Sequence, residues 1–159
     1  MQEHLIIDGN NALHAIPQLA KTLERDRQMA REDLVHMLEP LQARNGYLLT
    51  VVFDGRGGKT SLTKHRGNEE YSIIYSSSSQ GADGVIERML IAAEFPQKIT
   101  VGTNDNLIRN CAYTHGAAVI KVEELIKKLD ASIELSKNLT PRAARKEEKF
   151  ENRIPFPDL

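Results

Sequence analysis

Four aspartates recur at matching places along the chain. Leu5-Ile6-Ile7 ends in Asp8, and Val51-Val52-Phe53 ends in Asp54. Ile73-Ile74-Tyr75 leads through a Ser/Gly segment to Asp83, and Ile99-Thr100-Val101 leads through Gly102-Thr103-Asn104 to Asp105. Glu87 follows Asp83 by four residues, so a helix there sets both carboxylates on one face, with Glu87 a metal ligand or equally an exposed helix Glu paired with a neighbouring base. Crowded carboxylates repel one another and hold their protons unless cations neutralise them. Mg²⁺ or Mn²⁺ prefers such oxygen donors with some waters retained. An ion so held generates a hydroxide nucleophile and stabilises a leaving oxygen, the chemistry of phosphodiester hydrolysis. No cysteine or histidine is required for it.

An aspartate after a strand is also an ordinary helix N-cap, and any one of the four taken alone reads equally well that way. Their recurrence after four successive strand-like runs is what favours a shared site. In a parallel sheet all carboxyl ends point the same way, and ligands bind outside them.

Neighbouring polar residues divide similarly. Asn11 orients a carboxylate or a substrate phosphate, or caps a helix. Thr103 offers its hydroxyl to a phosphate or to Asp105, with a local turn bond as the plainer reading. The Gly55–Asn68 stretch carries Arg56, Lys59, Lys64, His65 and Arg66 among glycines directly after Asp54. It is expected to be a flexible basic loop over the crevice, contacting a substrate's phosphate backbone rather than only solvent. Arg109 falls one helical turn after Asp105, where a phosphate contact and a surface ion pair compete. His14 is a weaker candidate for substrate contact; the other histidines show no metal-ligand spacing, and Cys111 reads as a small core residue.

The elements that must position these groups alternate in type. Leu5–Ile7, Leu48–Phe53, Tyr71–Tyr75, Ile99–Val101 and Ala117–Ile120 are short, apolar and β-branched or aromatic, so they predict strands. Ala12–Glu24, Arg31–Arg44, Ala82–Glu94 and Asn106–His115 carry apolar residues at three- and four-residue spacing and predict helices. Gly46 and Gly116 mark helix ends that call for positive φ. Ser76–Ser79 reads as a flexible loop. This alternation predicts an α/β fold with a mainly parallel sheet covered on both faces. A further helix is expected over Glu123–Leu135. Thr140 and Pro141 would open a last, basic one, followed by an extended tail through Ile154-Pro155-Phe156-Pro157. The expected division is a core over residues 1–136 and a basic C-terminal segment over 137–159 belonging to the same unit.

At 159 residues, with 40% hydrophobic and 27% charged, the chain suits one globular domain. No apolar run is long enough for a membrane span, and the first strand begins too early for a signal peptide. A lone cysteine makes no internal disulfide, so the cytoplasm is the expected compartment. A net charge of −1 argues against coating nucleic acid non-specifically, yet leaves room for local basic patches. Aromatic content of 5% limits recognition by base stacking.

Ile7-Asp8-Gly9-Asn10-Asn11, Val52-Phe53-Asp54-Gly55, Gly81-Ala82-Asp83 through Ile86-Glu87-Arg88, and Thr103-Asn104-Asp105, in this order, resemble the YacP-like branch of NYN domains. These belong to the PIN-like nuclease superfamily, and the resemblance spans about residues 4–125. It implies a three-layer α/β/α fold, Mg²⁺ or Mn²⁺ dependence and endoribonuclease activity on single-stranded RNA, with mRNA and the ribosome as candidate partners. It implies further that Asp8, Asp83 and Asp105 bind metal, that Asp54 completes or supports the site, and that Asn11 belongs to it. Asn10 stands where relatives often carry an aromatic, and Asn104 where they often carry Ser; neither removes a carboxylate. A response-regulator receiver fits poorly, lacking the acidic pair after the first strand. A PIN-like domain that binds RNA or the ribosome without cutting is the stronger alternative.

Overall fold

The protein, described by a computed structural model for residues 2–131 and 133, is built on a six-stranded sheet. Strands β1 (His4–Asp8), β2 (Leu48–Phe53), β3 (Ser61–Lys64), β4 (Tyr71–Tyr75), β5 (Ile99–Gly102) and β6 (Ala118–Ile120) lie in the order β3-β4-β2-β1-β5-β6. All neighbours are parallel except β3, which runs antiparallel to β4. The five expected strands are therefore all present.

The helices are α1 (Gly9–Ala15), α2 (Pro17–Arg25), α3 (Arg27–Met37), α4 (Glu39–Asn45), α5 (Gly81–Ala92), α6 (Asn106–Thr114) and α7 over 122–131. Two expected helices are each broken in two. Pro17 has no N–H and forces Ile16 to extended backbone, so α1 ends and α2 begins there. Pro40 sits in the first turn of α4, and the boundary with α3 falls at Leu38, which keeps helical backbone (φ −86°, ψ −6°) where Ile16 is extended. Helix α3 also starts earlier than expected, because the Asp26 carboxylate caps it by accepting from Met29 N at 3.1 Å. Gly46 and Gly116 take φ of 68° and 86° at their helix ends, as expected.

The Gly55–Asn68 stretch is not the flexible loop expected. Ser61–Lys64 pairs with β4, and His65–Gly67 forms a tight helical turn that sets His65 2.6 Å from Glu39. The four-residue run escapes recognition because it is polar and largely exposed, at the edge of the sheet. Ser76–Ser79 is likewise a well-bonded turn. Ser76 and Ser77 are buried, Ser77 N donates to Thr60 Oγ1 at 3.0 Å, and Ser78 N donates to Gly57 O at 2.9 Å.

Alternation along the central strands builds two cores. Leu5, Ile7, Leu49, Val51, Phe53 and Tyr71 face the layer of α1–α4 and α7. Ile6, Val52, Ile74 and Val101 face α5 and α6 through Val85, Ile86, Leu90, Ile108 and Ala112. Burial on both faces explains why Leu5–Ile7 of β1 and all of β2 but Thr50 are apolar. The result is an α/β/α sandwich whose chain turns from β2 and β4 on one side of β1 to β5 and β6 on the other. That reversal leaves a crevice at the carboxyl ends of β1 and β5. The expected last helix and tail lie outside the described residues.

Candidate active site

Asp8 closes β1 and opens α1, and it is only 4% exposed. Its Oδ1 accepts from Asn11 N at 3.3 Å, an N-cap. Its Oδ2 accepts from the Thr103 hydroxyl at 3.0 Å. That hydroxyl, itself wholly buried, accepts in turn from Asp105 N at 3.0 Å. Thr103 thus ties β1 to the segment after β5 and fixes two acids together; its hydroxyl serves these neighbours.

Gly9 makes the junction possible. A Cβ there would stand 2.5 Å from the Phe53 ring and 2.8 Å from Val52 O. Only glycine lets α1 leave β1 so close against β2.

Asp105 caps α6 through Leu107 N at 2.8 Å, and Asp83 lies in the first turn of α5. Carboxylate oxygens of Asp8, Asp83 and Asp105 all come within 4.8 Å of one another. Burial pushes Asp8 up to about 6, with the charges of Asp83 and Asp105 adding to it against the bonds from Asn11 and Thr103. Asp83 is raised too, by partial desolvation first and then by Asp105 and Asp54. A dry carboxylate with two acids beside it is the electrostatic setting that a hard divalent cation relieves.

Asp54 lines the same crevice but has other partners. Its Oδ1 accepts from Ala82 N at 2.7 Å, and Oδ2 accepts from Asn10 Nδ2. It thereby holds the start of α5, and so Asp83, against the end of β2. The crevice, about 220 Å³, is bounded by Asp8, Asn10, Asn11, His14, Asp54, Asp83 and Asp105. Asn11 Oδ1 accepts from Asn104 N at 2.8 Å, and Asn104 Oδ1 accepts from Val122 N at 2.8 Å. These two asparagines brace α1, the segment after β5, and α7. Glu87 lies outside the three-carboxylate set, along a groove with Ser77, Ser79 and Arg88. Arg109 is half-buried and donates to Asn106 Oδ1 at 3.5 Å, away from the crevice lining.

Arg56 and Lys59 line a second groove that opens at Asp54. Thr60 anchors their loop, accepting from Ser77 N and donating to Gln80 Oε1 at 2.9 Å. Lys64, His65 and Arg66 are carried off instead toward Glu69 and Glu39. Sequence reading missed Arg31 on this wall. Its guanidinium donates to Asp54 O at 3.0 Å and rests 5.4 and 5.3 Å from the Phe53 and Tyr75 ring centres. Within the sequence Arg31 is one more charge in a helix, and only the folded sheet brings the two rings beneath it. Asn10, a departure from the family pattern, has a purpose in its bond to Asp54.

A family model described as the YacP-like NYN domain matches residues 5–156. A Bacillus subtilis (strain 168) protein called Uncharacterized protein YacP is 28% identical over 127 residues, 79% of this chain and 74% of its own length. The crystal structure of Rae1 (YacP) from Bacillus subtilis is similar at a TM-score of 0.73 and 24% identity, over 93% of this chain and 85% of that one. A point mutant of the same protein gives 0.76 and 22%, over 92% and 86%. At these identities the solved structures establish a common fold.

Proposed function

The chain belongs to the YacP-like NYN domain family, within the PIN-like nucleases, and from that premise we propose that it is a divalent-metal-dependent endoribonuclease acting in the cytoplasm. The observation that carries the reading is the meeting of Asp8, Asp83 and Asp105 within 4.8 Å, from three distant parts of the chain. The donor set suits Mg²⁺ or Mn²⁺, since it is all carboxylate oxygen and one member is buried. Such an ion, when bound, lowers the pKa of a coordinated water and neutralises charge on a phosphate.

The chain's own residues do the rest. Asp8, Asp83 and Asp105 hold the ion, and Glu87 is assigned an outer role through water. Thr103 keeps Asp8 and Asp105 in register through its single hydroxyl. Asp54 sets the start of α5 and adds negative charge at the rim. Asn11 and Asn104 hold the crevice wall, while Arg56 and Lys59 are assigned to RNA phosphates and Arg109, outside the crevice lining, is assigned none. Single-stranded RNA, mRNA among it, is the proposed substrate, and a ribosome is the proposed setting in which it is presented.

The test is cleavage of a mixed single-stranded RNA pool by the pure protein with Mn²⁺, with Mg²⁺ and with chelator. Metal-dependent cutting that Asp8→Asn and Asp83→Asn abolish, in folded protein, is the expected result. An unchanged rate in either variant removes that residue from the mechanism. Undiminished RNA binding with no cutting under any metal, alone or with ribosomes, would establish a binding domain instead.

A further inference from the structure

We propose that the RNA strand leaves the carboxylate crevice on the Asp54 side and follows a groove in which Arg27, Arg31, Arg56 and Lys59 hold its phosphates. This rests on the reading of RNA as substrate and gives it a direction. The groove, about 450 Å³, has Asp54 in its lining, and Asp54 also lines the crevice, so the two adjoin there. At its far end it shares Gln28, Arg31 and Tyr75 with a further cleft that reaches His36 and His65. The trough thus runs past several positions, as a strand requires and a single nucleotide does not.

The four cations come from two separate segments, the start of α3 and the loop after β2. Among the described residues none of them is in an ion pair, whereas Lys64, Arg66 and Lys98 each have a carboxylate partner. Unpaired like charges on one wall repel one another, and an anion that spans them relieves it. Arg31 is held in place by its two rings and by Asp54 O, which presents a fixed, planar guanidinium. The bonds of Ser77 and Ser78 to Thr60 and Gly57 fix the loop that carries Arg56 and Lys59. Across the crevice, by contrast, Asn104 leads to the carboxylate of Glu123.

Binding of a fluorescent single-stranded RNA of mixed sequence, measured by anisotropy in chelator over a range of salt, tests the groove without requiring cleavage. Arg27 and Lys59 are exposed, so an Arg27→Ala/Lys59→Ala variant keeps the fold. It should bind about 10-fold more weakly. Its salt slope should be shallower by about 1.4, at about 0.7 per lost phosphate contact on a single strand. Lys98→Ala, at the amino end of β5, should change neither. Equal affinity and slope in the double variant, or no RNA binding by wild type, overturns the groove. So does binding of a glutamate-rich peptide but not RNA. The two readings fail separately. Lost binding in the variant with no metal-dependent cutting by wild type keeps the groove and removes the nuclease. Metal-dependent cutting with KM unchanged in the variant keeps the nuclease and removes the groove.

Discussion

At Asp8, the proposed metal-binding role and stability pull in opposite directions. Its carboxyl is raised from the usual 3.8 to about 6 in the fold, so the folded state holds this proton more tightly than the unfolded chain. The cost to the metal-free protein is therefore fully present above about pH 6. It fades as pH falls through 6 and is gone below about 4, at ~3 kcal/mol for a gap of this size. Asp8→Asn keeps an N-cap while removing the buried charge, so its melting temperature without metal at pH 8 should exceed that of wild type even though cleavage is lost. A lower melting temperature would show that the charge is not a burden. Stabilisation of wild type by Mn²⁺ should shrink as pH drops below about 6, in a thermal melt series. Thr103→Val removes the hydroxyl shared by Asp8 and Asp105 at nearly constant volume. It should weaken Mn²⁺ affinity about 10-fold, read by titration calorimetry, and cost about 1–2 kcal/mol in denaturant unfolding. The acids themselves were legible in the sequence, because each follows a strand-like run. Thr103 was legible only as a candidate, since its partner Asp8 is 95 residues away.

Among the elements, what was legible tracks burial. Strands β1, β2, β4 and β5 bury side chains on both faces or nearly so, and their apolar runs declare them. Strand β3 is exposed along most of its length, so periodicity gives it no signal, and its glycine- and charge-rich flanks read as loop. The helix breaks have a signal in Pro17 and Pro40, but both lie within otherwise continuous apolar patterns that mask it. Two element junctions can be probed directly. Gly9→Ala would drive a methyl into Phe53 and Val52 where α1 leaves β1. An unfolding free energy lower by more than ~2 kcal/mol is expected, with metal binding reduced alongside. Tyr71 anchors β4 to α3 by donating to Val35 O at 2.6 Å, in full burial. Tyr71→Phe should cost about 1–2 kcal/mol by denaturant titration, with cleavage retained.

Over the whole molecule, the α/β class, the parallel sheet and the family were all readable, since alternating elements leave few other arrangements. The wall of cations was not, because Arg27 and Arg31 belong to a segment far in sequence from Arg56 and Lys59. With a net charge of only −1, the molecule as a whole gives no sign of the proposed RNA contact, which rests on the uneven distribution of its charges. Stability should be uneven as well. Amide hydrogen exchange should be slowest in β1 and β2 at the centre of the sheet and fastest in β3 and β6 at its edges. The central place of β1 also governs timing. It is made before the other five strands, yet one of its two neighbours, β5, is made from residue 99 onward. Asp105 comes later still, and long-range pairing of this kind closes slowly. A growing chain therefore carries Asp8 apart from its partners until synthesis has passed residue 105, and only then can the three carboxylates meet.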